Sequence, residues 1–155
     1  KLRSGNSILF MDSDVLYHRH LIERLTVKTN RSIIPYDLHF EDGDEPVKLC
    51  LKNKKPVEFG KIVNCNYDVI GEWPGFIRLS PKMANLIAND LDMRISQQDL
   101  DSPCEAAIRQ VMLESTPKEF NFIDISGIPW IEIDFPEDVK IAHSTILPAI
   151  NSFST

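Results

Sequence analysis

Residues 8–20 read ILFMDSDVLYHRH, so two aspartates follow directly after a short apolar run. The four apolar residues from Ile8 to Met11 are typical of a strand buried on both faces, as in the middle of a parallel sheet. Carboxylates at the end of such a strand require a reason, which could be a turn, a helix cap or a bound cation. Because Asp-x-Asp is a common sequence, the pair alone favours a solvated turn in which Asp14 caps the following segment.

The order of elements along the chain predicts a mixed α/β fold. A helix is expected over 20–29 and a strand over 32–38, so that strand, helix and strand form a βαβ unit. Further strands are predicted at 47–51, 57–59, 76–79, 120–125 and 129–135, and the first two of these form a hairpin about a polar turn at 53–56. Helices are predicted at 81–91, with Ser80 as cap and Pro81 at the first position, from about 102, and at 139–146. Ser102 is expected to cap its helix, with Pro103 at the first position and Glu105 completing a capping box. We therefore predict a mixed, mainly parallel sheet flanked by helices.

The composition of the chain limits the classes of protein to which it can belong. The 155 residues are 43% hydrophobic and 26% charged, as in one soluble globular domain. A formal net charge of -6 argues against a nucleic-acid binder, and no apolar run approaches the ~18 residues that span a membrane. The cysteines Cys50, Cys65 and Cys104 lack metal-ligand spacing and are expected to be reduced. With no signal segment, the predicted location is cytoplasmic.

A second acidic segment, IPWIEIDFPED, occupies residues 128–138. Strand alternation places Trp130, Glu132 and Asp134 on one face and Ile131, Ile133 and Phe135 on the other. A solvated outer face explains this pattern without any function, yet an aromatic and two carboxylates before a turn are more than such a face needs. In parallel sheets, ligands bind at the carboxyl ends of strands. Two strand ends that present aspartates suit a hard divalent cation with oxygen ligands, such as Mg²⁺.

Five segments together resemble one protein family. FMDSDVLYHRHLIERL (10–25) resembles the metal-binding segment of nucleotidyltransferases with the nucleotide-diphospho-sugar transferase fold, which is related in shape to the Rossmann fold. GIPWIEIDFPEDVKIAHSTILPAI (127–150) is similar to the closing segment of that family. EFGK (58–61), GEWPGFIRLS (71–80) and CEAAI (104–108) are similar to its intermediate blocks, in the same order. The most similar branch comprises cytidylyltransferases acting on phosphocholine, 2-aminoethylphosphonate or inositol phosphate.

The resemblance implies a nucleotidyl transfer that depends on Mg²⁺. A nucleoside triphosphate, with CTP favoured, would react with a phosphorylated or phosphonate small molecule (phosphocholine-like or a sugar phosphate) and release pyrophosphate. Asp14 and Asp134 would be the catalytic metal ligands, and Asp12 a supporting contact to the metal. Catalysis would rest on positioning and charge neutralisation, without a protein nucleophile. A homodimer is left open as the assembly.

The same resemblance suggests residues that bind substrate. Lys61 matches a family lysine near the acceptor phosphate, although a solvated hairpin lysine explains it equally well. Glu72 and Glu105 match acidic positions near the acceptor, which would suit an amine or quaternary ammonium group. Trp130, or alternatively Trp73, could face such a cation, although tryptophan is more often a core residue. Glu132 shares the face of Trp130 and is placed with the substrate-binding residues.

One part of the family pattern is missing from the sequence. Members open with a Gly-rich loop, typically Leu-Ala-Ala-Gly-x-Gly-x-Arg, and the six glycines of this chain form no such cluster. Residues 1–155 therefore resemble the carboxyl-terminal two-thirds of a nucleotidyltransferase, one partial domain with the metal-binding and acceptor-binding portion but without the N-terminal nucleotide-binding part. We expect no appreciable transferase activity from this chain alone. The alternatives are a non-catalytic remnant or binding module of the same fold, or a metal-dependent glycosyltransferase, which explains Asp-x-Asp but not Trp-x-Glu-Ile-Asp.

Overall fold

A computed structural model of the chain describes residues 1–154. Its strands are β1 (Ile8–Met11), β2 (Val15–Tyr17), β3 (Ser32–Tyr36), β4 (Lys48–Lys52), β5 (Lys55–Gly60), β6 (Val69–Glu72), β7 (Phe76–Leu79), β8 (Phe120–Asp124) and β9 (Trp130–Glu132). Its α-helices are α1 (His20–Leu25), α2 (Pro81–Ser96), α3 (Cys104–Glu114), α4 (Pro136–Ile141) and α5 (Leu147–Ser152). A 3₁₀ turn (Pro117–Glu119) precedes β8, and a π-helical turn (Ala142–Ile146) joins α4 to α5. The predicted elements are present in the predicted order with shifted ends, but the strands β2 and β6 were not predicted.

The largest sheet has four strands in the order β1-β7-β3-β8. Both β1 and β3 run antiparallel to β7, so they are parallel to each other with β7 between them. The two strands of the predicted βαβ unit, β1 and β3, therefore run in the same direction, as expected. They do not pair with each other, because β7 lies between them. The mixed α/β class with a mixed sheet flanked by helices is confirmed. Parallel pairing is rarer than expected, because β7 is inserted antiparallel and only β3 and β8 pair in parallel within residues 1–154.

The strand that precedes the first aspartates lies at an edge of this sheet. Three residues of β1 are half-buried and Met11 is exposed. The prediction that β1 is buried on both faces is therefore wrong. Over the described residues β1 has a strand neighbour on one side only, so an apolar run of this length did not distinguish a central strand from an edge strand.

The predicted hairpin is confirmed and belongs to a separate antiparallel sheet, with the order β5-β4-β6. Asn53 and Lys54 form its turn with φ values of 50° and 63°, as in the two-residue turns that match strand twist. An antiparallel bridge between Asp37 and Glu72 joins β6 to the end of β3. This small sheet therefore stands against the carboxyl end of β3.

The two long helices start differently from one another. The Ser80 side chain accepts a hydrogen bond from the Met83 amide at 3.3 Å, which confirms the predicted cap of α2. In contrast, α3 begins at Cys104 and has Pro103 at its cap position without a side-chain cap. The predicted Ser102 cap and the capping box with Glu105 are therefore wrong. The Ser102 hydroxyl instead donates to Asp99 Oδ2 at 2.8 Å.

Two apolar clusters hold these elements in place. One lies between the sheets and the pair α2 and α3, and it includes Phe59, Trp73, Ile77, Met83, Ile108 and Met112. The other packs α1 against the four-stranded sheet, and it includes Leu21, Leu25, Ile33, Phe76, Ile125 and Ile128. Each fully buried large side chain contributes about 1.5–3 kcal/mol. No helix within residues 1–154 is both long and apolar enough to cross a membrane.

Candidate active site

The pairing of β2 with β9 brings the two acidic segments together. Val15 lies opposite Glu132 in this antiparallel pair, and the Ile133 amide donates to the Asp14 carbonyl at 2.9 Å. One carboxylate oxygen from each of Asp14, Glu132 and Asp134 lies within 4.8 Å of the other two. The predicted pair Asp14 and Asp134 is thus brought together, with Glu132 as a third member. We call these three residues the carboxylate group.

The carboxylate group fits a hard divalent cation. All three side chains offer oxygen, and Asp14 and Asp134 are exposed, which leaves room for water or substrate oxygens around a cation. Burial is the main cause that raises the pKa of Glu132 to about 7, and the charges of Asp134 and Asp14 raise it further. A cation held among the three would offset this repulsion. Metal binding itself stays a prediction.

Asp12 lies beside the carboxylate group and is held by Gly75. The Asp12 amide donates to the Gly75 carbonyl at 3.0 Å. Gly75 has φ +78°, and a Cβ at this position would lie 2.5 Å from Asp12 Oδ2. Burial, then the charges of Glu105 and Asp14, raise the pKa of Asp12. Sequence reasoning missed the role of Gly75, although the Pro-Gly pair at 74–75 is a turn signal.

A cavity of about 380 Å³ opens in front of these carboxylates. Its lining includes the carboxylates of Asp12, Glu105, Glu132 and Asp134. Of the described residues, Lys61 is the only basic one that lines it. The Lys61 ammonium lies 2.8 Å from Glu45 Oε2, and its side chain is 53% exposed. The hydrogen bond to Glu45 is the main cause that holds the pKa of Lys61 above its usual value. The exposed pair can open, so Lys61 can exchange Glu45 for an anionic group.

A second cavity of about 550 Å³ shares Glu132 and Asp134 with the first and contains the predicted Glu72 and Trp130. Burial, then the charges of Glu132 and Asp37, raise the pKa of Glu72 to about 7. All the predicted site residues therefore line two adjoining cavities or belong to the carboxylate group. The alternative tryptophan, Trp73, is 4% exposed and belongs to the core.

Asp37 is a further residue that sequence reasoning missed. It is 6% exposed, and its carboxylate accepts hydrogen bonds from the His39 amide and from Trp130 Nε1, each at 2.8 Å. These bonds fix the Trp130 ring at the wall of the second cavity. The available signal was its place directly after β3, where the carboxyl end of a strand meets the site.

Comparisons with known proteins show the fold. No family model and no curated protein matches the sequence. The structure is similar to an inositol-1-phosphate CTP transferase from T. maritima, with a TM-score of 0.65 and 13% identity over 98% of this chain and 59% of that one. It is also similar to a protein assigned as a glucose-1-phosphate thymidylyltransferase from Bacillus anthracis, with a TM-score of 0.60 and 12% identity over 99% and 58% of the two chains.

These similarities confirm the predicted fold, which is that of nucleotidyltransferases with the nucleotide-diphospho-sugar architecture. The chain spans somewhat under three-fifths of the length of either structure. At such low identity the likeness concerns the fold, so the chemistry has to be argued from the residues of this chain.

Proposed function

We propose that this chain supplies the metal-binding and acceptor-binding part of a nucleotidyltransferase. The reaction would move a nucleotidyl group from a nucleoside triphosphate, with CTP favoured, to a small phosphate or phosphonate acceptor. The observation that carries the proposal is the carboxylate group, two of whose members, Glu132 and Asp134, line a cavity together with Lys61. The two similar structures, one a CTP transferase and one assigned as a thymidylyltransferase, support the reaction class.

Asp14 and Asp134 are the proposed Mg²⁺ ligands, with Glu132 as a third oxygen donor. When bound there, Mg²⁺ supplies neutralisation of phosphate charge. Lys61 binds the acceptor phosphate after it exchanges its partner Glu45. Asp12 stays in place against Gly75 and adds negative charge beside the metal ligands.

The reaction needs no protein nucleophile, because the acceptor phosphate already carries anionic oxygens. One of these oxygens forms a bond to the α-phosphorus, and the bond from that phosphorus to the oxygen bridging to the β-phosphate breaks. Pyrophosphate leaves with the electron pair of that bond. The contribution of the protein is therefore alignment of the two anions and neutralisation of their charge.

A metal-binding experiment tests the carboxylate group on the chain itself. Mn²⁺ binding followed by electron paramagnetic resonance should weaken by at least about tenfold in Asp14→Asn and in Asp134→Asn, because each loses a charged ligand. Asp101→Asn is the matched control, since Asp101 is exposed in the segment between α2 and α3. Equal Mn²⁺ affinity in all four proteins would show that the metal assignment is wrong.

A substrate screen on the full-length protein tests the reaction. CTP, UTP, ATP and GTP are each offered with phosphocholine, 2-aminoethylphosphonate and sugar phosphates, and pyrophosphate release is measured. Turnover with one acceptor that is lost in Asp14→Asn but kept in Asp101→Asn supports the proposal. Absence of pyrophosphate release from every pair, with intact metal binding, favours a non-catalytic module, and sugar release from a nucleotide sugar favours a glycosyltransferase.

A further inference from the structure

An apolar chamber adjoins the proposed active site. It has a volume of about 340 Å³ and lies between the end of β5 and the start of α3. Its apolar lining consists of Val47, Phe59, Gly60, Pro103 and Ala106. Its volume is in the range of pockets that hold small organic molecules. The chamber opens toward the first cavity, because Val47, Lys61 and Glu105 line both.

Few polar groups of the chamber are free to bind a ligand. Arg109 donates from Nε to Glu58 Oε1 and from Nη2 to Glu58 Oε2, the second bond at 2.9 Å. The remaining charged residues, Lys61 and Glu105, lie at the opening that the chamber shares with the first cavity. Apart from the Arg109 N–H groups that Glu58 leaves unused, the lining offers a hydroxyl group few partners to replace its lost water contacts.

Gly60 lines the chamber and leaves room for a larger side chain. A Cβ built on Gly60 has no heavy atom within 4 Å. Gly60 is also absent from the glycines with positive φ, so a larger residue is compatible with its backbone. Because Gly60 lines the chamber, we expect a valine at this position, which strands favour, to reduce the space in it.

We propose that the chamber binds the organic arm of the acceptor and selects a short alkyl arm over a polyhydroxylated one. This inference rests on the proposed function, since it places the acceptor phosphate at Lys61. It assigns the acceptor to alkyl phosphates or phosphonates rather than to polyol phosphates. The physical basis is the asymmetry between the two arms: the alkyl arm gains from leaving water, and a polyol arm loses hydrogen bonds.

Isothermal titration calorimetry of the chain with Mg²⁺ tests this selection, using methylphosphonate, n-propylphosphonate and glucose 1-phosphate as probes. Propylphosphonate carries two more methylenes than methylphosphonate, and each buried methylene is worth roughly fourfold in affinity, so we expect roughly 15-fold tighter binding. Glucose 1-phosphate should bind more weakly than propylphosphonate. Gly60→Val should lower the affinity for propylphosphonate to that for methylphosphonate, and it should leave the affinity for methylphosphonate unchanged.

Gly43→Val is the matched control, because Gly43 lies outside the chamber and a Cβ there makes an ordinary contact 3.8 Å from Pro46 Cδ. Ala106→Leu is a second way to fill the chamber, and circular dichroism establishes that each variant is folded. An equal affinity for methylphosphonate and propylphosphonate, or for propylphosphonate and glucose 1-phosphate, would overturn the inference. The inference would also be overturned if folded Gly60→Val and Ala106→Leu still bound propylphosphonate more tightly than methylphosphonate by the same factor as the unsubstituted chain.

The failure of the inference is distinguishable from that of the proposed function. If phosphonates bind and Lys61→Met weakens them, but alkyl length has no effect, the acceptor site stands and the chamber assignment is wrong. If neither phosphonate binds, the acceptor site at Lys61 fails, and the chamber assignment fails with it.

Discussion

Replacement of Gly75 by alanine should damage both the stability of the protein and the position of Asp12. The φ of Gly75 is +78°, and the added Cβ would lie 2.5 Å from Asp12 Oδ2 and 3.0 Å from Asp12 Cβ and Cγ. The left-handed backbone costs about 1 to 2 kcal/mol for an L-residue with a side chain, and overpacking against a fixed neighbour adds about 1 to 3 kcal/mol. We expect Gly75→Ala to lower the free energy of unfolding by about 2 to 5 kcal/mol, which corresponds to roughly 5–20 °C in melting temperature.

Gly127 provides a matched control for the backbone part of this cost. Its φ is +86°, but a Cβ there meets no atom within 4 Å. Gly127→Ala should therefore lower stability by only about 1 to 2 kcal/mol. Urea unfolding followed by circular dichroism measures both variants, and the difference between them isolates the contact with Asp12.

A double mutant identifies the partner in this contact. Asp12→Ala removes the carboxylate that the new methyl group would meet, so it should recover part of the loss in Gly75→Ala but none of the loss in Gly127→Ala. Equal losses in the two glycine variants, or no recovery by Asp12→Ala, would refute the close approach of Asp12 to the Gly75 backbone.

Two further predictions concern the second cavity. Because the pKa of Glu72 rises from 4.5 to about 7 in the folded state, its contribution makes stability fall as pH rises from about 4.5 to 7. Glu72→Gln should flatten this fall in melting temperature measured in EDTA, whereas exposed Glu114→Gln should not; an unchanged slope in Glu72→Gln would contradict the assignment. Trp130→Phe leaves the buried Asp37 carboxylate without its indole donor and should cost about 1 to 3 kcal/mol in urea unfolding. A cost below about 0.5 kcal/mol would mean that this hydrogen bond is not maintained in solution.

Local patterns predicted some of the elements around the site but missed β2 and β6. The turn between β4 and β5 and the start of α2 at Ser80 and Pro81 were predicted correctly. Turn and cap preferences act over a few neighbouring residues, so a short stretch of sequence is enough to show them. The cap of α3 was predicted wrongly at Ser102, since the contact of its hydroxyl with Asp99 competes with capping. A serine hydroxyl can cap a helix or bond a nearby side chain with similar gain, and a short sequence pattern does not show which of the two forms.

The sequence by itself predicted the α/β class from the order of its elements, and its resemblance to the nucleotide-diphospho-sugar family implied the pair Asp14 and Asp134. Only the tertiary structure decided that Glu132 joins that pair, that β7 lies between β1 and β3, and that Gly75 holds Asp12. It likewise decided that Asp37 holds the Trp130 ring and that an apolar chamber adjoins Lys61. The physical reason is that each of these features depends on contacts between distant segments, which strand pairing and core packing create and no local pattern encodes.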